Sequence, residues 1–143
     1  MEAEPHLRAS IVLVALFLAM GLWLEAMYGL RAEGWIDDPL RREFLRLGHA
    51  HGGLLGLLNI ALAWALGRLR TPAGWARKIR VAALLGASLV GVGFMLGGFF
   101  HGPTDPGPPI LAVPAGAMLL LSALVATALV RPSDPPPSTT EAT

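Results

Sequence analysis

The 143-residue chain is 54% hydrophobic and only 15% charged, whereas a typical soluble domain carries about 25% charged residues. That composition excludes an ordinary soluble domain, and a net charge of +1 gives no basis for nucleic-acid binding. The absence of cysteine excludes disulfides and thiolate metal sites.

Four apolar windows account for the composition. Ile11–Leu30 holds one charge, Glu25, while Leu47–Leu66, Val81–Phe100 and Ile110–Val130 hold none. Each has about the ~20 residues needed to cross a hydrocarbon core. The chain is therefore expected to be all-α, a transmembrane four-helix bundle over residues 1–131. Residues 132–143, rich in Pro, Ser and Thr, form a disordered polar tail. The first window reads as a span rather than a cleaved signal peptide. Its apolar run is long, and the "LEAMYG" near its end is a poor cleavage site.

Between the first two windows, "IDDPLRREFLRL" offers Asp38 as an N-cap with Pro39 at the first helical position. The spacing predicts a helix from Pro39 through the second span to Arg70, ~48 Å long, whose first turns, residues 39–46, project beyond the bilayer. The next connection, "GRLRTPAGWARKIR", carries five basic residues and no acid, whereas Arg31, Arg41, Arg42 and Arg46 in the first loop are diluted by four acids. The positive-inside bias then places both termini in the cytoplasm, with Trp64 and Trp75 at the inner interface and Trp23 and Trp35 at the outer one. Gene-composition bias toward Arg, Ala, Leu and Pro points to a bacterial inner membrane.

This topology gives the polar residues of the spans one address. His49 and His51 start the second span, His101 ends the third, and Glu25 lies ~8 Å inside the outer end of the first. Glycine stripes accompany them: Gly48, Gly52 and Gly56; Gly93 and Gly97 leading to His101; Gly21 and Gly29 around Glu25. Small-xxx-small spacing permits close helix approach, so these faces should meet inside the bundle. Ionisable groups there mark functional sites.

His49, His101 and Glu25 therefore form the expected ligand set for copper, zinc or iron, with His51 in second rank and Asp105, Met27 and Met95 as additions. His49 is preferred over His51 because residues two apart on a helix point ~200° from each other. A single haem b is the parallel expectation, with His49 and His101 as axial ligands and Arg42 and Arg46, above His49 on the helix, pairing the propionates. "LGHAHGG" resembles the His-x-His pairs of membrane haem and copper proteins over those few residues.

The expected function is an accessory redox or metal-handling subunit, partnered by lipid and by other membrane subunits or further copies of itself. A cofactor-free structural subunit is the alternative. A third reading is proton-coupled transport through Glu25, since four short helices with a carboxylate in the first resemble, in outline, the small multidrug-resistance exporters. The spans contain no nucleophile–base set, phosphate-cradling loop or paired catalytic carboxylates, so the chain is not expected to be an enzyme alone.

Overall fold

A computed structural model describes residues 3–131, and these are all-helical. The expected disordered tail lies outside the described residues. Helices α1 (Ala3–Gly29), α2 (Pro39–Arg68), α3 (Ala73–Phe99) and α4 (Ala112–Leu129) follow in order, the last preceded by a 3-10 turn at Pro108–Leu111. All four are long and apolar enough to cross a membrane. Residues 30–38 and 100–107 connect them on one face, called here the loop face; the opposite, termini face carries residues 69–72 and both ends of the described chain.

α2 begins as its sequence predicts. Asp38 accepts a hydrogen bond from the Arg41 backbone N–H at 2.9 Å, and Pro39 occupies the first helical position. The helix stops at Arg68 rather than Arg70, and the backbone shows why. Arg70 takes φ +50°, and the N–H groups of Arg70 and Thr71 return to the carbonyls of Gly67 and Leu66. α1 ends in the same way. Arg31 takes φ +49°, with Arg31 and Ala32 bonded back to Tyr28 and Met27. Both are Schellman closures, with arginine where glycine is the usual residue.

α1 starts well before the apolar window, at Ala3. Its first turns are held by polar groups pointing inward: Ser10 and His6 are buried, and His6 Nε2 donates to the Asn59 carbonyl of α2 at 3.3 Å. Asn59 bonds across to α3, its Nδ2 donating to the Ala83 carbonyl at 3.3 Å as well as to that of Leu55 in its own helix.

Small residues decide the packing. On α2 the buried stripe runs Leu45, Gly48, Gly52, Gly56, Asn59, Leu62, Leu66. A Cβ on Gly52 would lie only 2.4 Å from the Phe17 ring of α1, and one on Gly91 of α3 would meet the same ring at 2.4 Å. Phe17 is thus keyed between two glycines from two other helices. α3 carries glycines on a second side as well: Gly86 and Gly116 bring the α3 and α4 backbones together, each Cβ position falling 2.7 Å from the other's carbonyl oxygen. Nearer the termini face, Leu62, Leu66, Ile79, Ala83, Leu120 and Ala123 form the apolar core.

The helices pack in chain order. α2 lies between α1 and α3, α3 between α2 and α4, and α1 touches α3 only lightly; α1 and α4 share no substantial interface. The expected bundle is therefore an open row rather than a closed square: apart from Gly91 against Phe17, the glycine contacts between helices join sequence neighbours.

Replacing Gly52 with leucine should displace Phe17 and part α1 from the pair α2–α3, lowering the thermal midpoint in detergent by several degrees. Gly53→Leu is the matched control: a Cβ there meets nothing within 4 Å. An equal fall in both variants would contradict the keyed crossing.

Candidate functional site: a cavity between the first two helices

Near the loop face, α1 and α2 diverge around a cavity of about 810 Å³, within the size range of small-molecule sites. Leu18, Leu22 and Leu24 give it an apolar wall; Glu25, Tyr28, Arg42, Arg46 and His49 supply polar groups, and Trp35 and Pro39 close the top. Arg42, Arg46 and His49 fall on one side of α2, since steps of four and three residues each return close to a full turn.

His49 is fixed by α1. Its Nδ1 lies 2.6 Å from the Phe17 carbonyl oxygen; a carbonyl can only accept, so Nδ1 carries the proton. The ring rests on Gly21, where a Cβ would lie 2.3 Å from it. With Nδ1–H committed, Nε2 keeps its lone pair, and it has no hydrogen-bond partner among the described residues. This is the tautomer of a ligating histidine, whose second nitrogen donates to a carbonyl or carboxylate.

Glu25 also lines the cavity, but it is exposed and makes no hydrogen bond or ion pair among the described residues. Arg46 pairs with Glu43 at 2.7 Å on the surface and not with Glu25. The stripe Gly21–Glu25–Gly29 does not stay inside the protein. Each step of four residues turns ~40° past a full turn, and by Gly29 a Cβ would meet nothing. Trp35 is only 7% exposed and meets Trp23 edge to face at 5.4 Å, yet its indole N–H has no acceptor among the described residues. An unsatisfied buried donor typically costs ~1–3 kcal/mol, and this one belongs to the cavity wall.

The other two expected ligands are elsewhere. His51 points away from His49, as their spacing requires. It donates from Nδ1 to the Leu47 carbonyl of its own helix at 2.9 Å and lies against Phe94 of α3, with ring centroids 5.0 Å apart. His101 does not continue the Gly93–Gly97 stripe toward α4. The helix has ended at Phe99, and the ring turns to the start of α2, where Nε2 donates to Asp38 at 2.8 Å and Nδ1 to the Gly102 carbonyl at 2.6 Å. With a hydrogen-bond partner at each nitrogen, neither is free to ligate a metal. Asp105 is exposed and bonded to Thr104. Among the described residues no three His, Asp or Glu side chains are gathered as metal ligands. The expected convergence of Glu25, His49, His51 and His101 therefore does not occur: His49 and Glu25 share a cavity, and the other two have local partners.

Asp38 was legible as a cap but not as the partner of His101. It closes the first turn of α2, takes the Arg41 guanidinium at 3.4 Å, and ties the end of α3 to the start of α2. The Gly102 carbonyl, followed by the Asp38 carboxylate, holds His101 above the usual imidazole range, against its partial burial and the Arg41 charge. Burial pushes Asp38 upward, but the Arg41 N–H, the His101 ring and the Arg41 charge together hold it below the usual carboxylate range.

The sign of the pH dependence follows. The raised His101 stabilises the fold fully below its unfolded value of about 6.5, and that contribution is lost as pH rises through the folded value. The depressed Asp38 contributes fully above about 3.9 and loses its effect as pH falls through its folded value. The clamp should thus be strongest between about pH 4 and 6.5. The thermal midpoint of the parent minus that of His101→Gln should peak in this window and shrink at higher pH; a difference independent of pH would refute the charged clamp. Compared with protein-family models, with curated proteins and with solved structures, the chain matches none.

Proposed function

We propose that the protein is a membrane-embedded haem-binding protein, holding a single haem b in the cavity between α1 and α2. The observation that carries this reading is His49: its Nδ1–H is fixed on the Phe17 carbonyl, which leaves Nε2 as the ligating atom. Arg42 and Arg46 stand seven and three residues before it, about 10 and 5 Å along the helix axis, and would take the propionates. Charge-assisted pairing of arginine with carboxylate suits that role. The orphaned Trp35 N–H adds a donor to the same wall. The apolar wall from Leu18 to Leu24 suits the macrocycle.

Bound haem would supply a redox-active iron with one protein ligand. Glu25 and Tyr28, from the opposite helix, are the polar side chains available to hold a proton or a small ligand beside it. In this reading the protein sits in a bacterial cytoplasmic membrane with both termini inside, and serves as a redox accessory subunit of a larger membrane complex. His101 has no part as an axial ligand, and a bare metal ion on a His/Glu set is not proposed.

A second reading, a cofactor-free accessory subunit, is favoured by one observation: His51 and His101 each have a local partner that accounts for their presence.

The optical spectrum of the purified full chain separates the two. A Soret band should be present in the parent and in His101→Ala, and should fall by more than about tenfold in His49→Ala, since even supporting residues of a metal site are worth about 10–100-fold. Arg42→Ala should weaken haem retention to a smaller extent. A colourless parent, reconstituted with haem and still showing no band, would leave the accessory-subunit reading.

A further inference from the structure

A second cavity, of about 470 Å³, lies on the other face of the molecule, lined by Pro5 and His6 of α1 and by Arg77, Arg80, Val81 and Leu84 of α3. Its two ends differ in chemistry. Arg77 and Arg80 stand one turn apart at the entrance. Val81 is half exposed, and Leu84 continues the apolar floor toward the centre of the span. Two cations above an apolar groove match an amphiphile with an anionic head.

The arginines are free for such a ligand. Two neighbouring cations of this face have aromatic partners: Arg68 lies over Trp64 at 5.4 Å, and Lys78 over Trp75 at 5.2 Å. Arg77 and Arg80 make no ion pair among the described residues, and Arg80 Nε is buried with no acceptor. Guanidinium is the side chain best matched to phosphate oxygens, because its planar fork binds them two at a time. His6 is not available to compete, since its Nε2 is committed to the Asn59 carbonyl.

We propose that this cavity is a binding site for one anionic phospholipid, its phosphate held between Arg77 and Arg80 and its acyl chains lying along Val81 and Leu84. The site is independent of the haem reading, sharing no residue with the cavity between α1 and α2. It differs from the diffuse attraction of a basic loop for an anionic leaflet, because it needs two particular arginines and an open floor.

The test is native mass spectrometry of the full chain in neutral detergent, with phosphatidylglycerol, phosphatidylcholine and inorganic phosphate as separate probes. One phosphatidylglycerol should stay bound per chain where phosphatidylcholine dissociates. Arg77→Ala with Arg80→Ala should weaken its retention about 100-fold, roughly tenfold for each charge-assisted bond to phosphate that is lost. Arg68→Ala with Lys78→Ala removes the same charge from the same face outside the cavity and should change retention less than about threefold. Val81→Trp, at a half-exposed position, should fill the floor and release the lipid with both arginines in place, which keeps the test decisive if loss of the arginines unfolds the chain. Equal loss in the control pair, equal retention of phosphatidylcholine, retention unchanged in Val81→Trp, or displacement by inorganic phosphate at matched concentration would each overturn the proposal.

Discussion

The contact on which the fold depends is the Phe17 ring lodged between Gly52 and Gly91. Within lipid there is no water to expel from between helices, so association rests on close packing and on hydrogen bonds. A bulky ring received by two positions without side chains gives that packing in the largest single piece available to α1. It also fixes height and rotation. With Phe17 seated, its own carbonyl and the bare backbone at Gly21 face His49, and the same rotation opens the wall from Leu18 to Glu25 onto the neighbouring cavity. The site exists because a steric key at residue 17 sets the phase of everything one turn further along.

Three histidines that look alike in the sequence have three different chemistries in the fold. His49 donates from Nδ1 to a carbonyl and keeps a lone pair; His51 bonds to its own helix and packs on an aromatic ring; His101 is held between a carbonyl and a carboxylate. The difference lies in the acceptors supplied, not in the imidazole. Asp38 shows the economy possible at a helix start, where one carboxylate accepts from a backbone N–H and from a histidine of a distant loop and pairs with an arginine charge.

What the sequence made legible follows the range of the forces involved. Apolar windows revealed the four helices, and the Asp38–Pro39 start of α2 could be read because capping is a local interaction. The opposite directions of His49 and His51 followed from helical geometry alone. The early start of α1 was hidden because His6 and Ser10 are polar; His6 turns inward to the Asn59 carbonyl across the interface, and Ser10 donates back to the His6 carbonyl. The Asp38–His101 pair joins positions 63 apart, and no local pattern carries that information. Glycine spacing identified close-packing faces on α2 and α3 but not which neighbour each would meet. On α1 the same spacing misled, because a strict step of four drifts around the helix and leaves Glu25 at a cavity rim.

The row-like packing has a consequence for biogenesis. Every residue lining the cavity between α1 and α2 falls between Leu18 and His49, so its walls are complete in a helical hairpin that leaves the ribosome before α3 and α4. α3 then arrives as a brace, locking Phe17 from behind through Gly91, and α4 joins on the far side without touching the site. A nascent chain that has emerged only through α2 already carries the whole chemical surface of the cavity, and the later helices determine how long it keeps its shape.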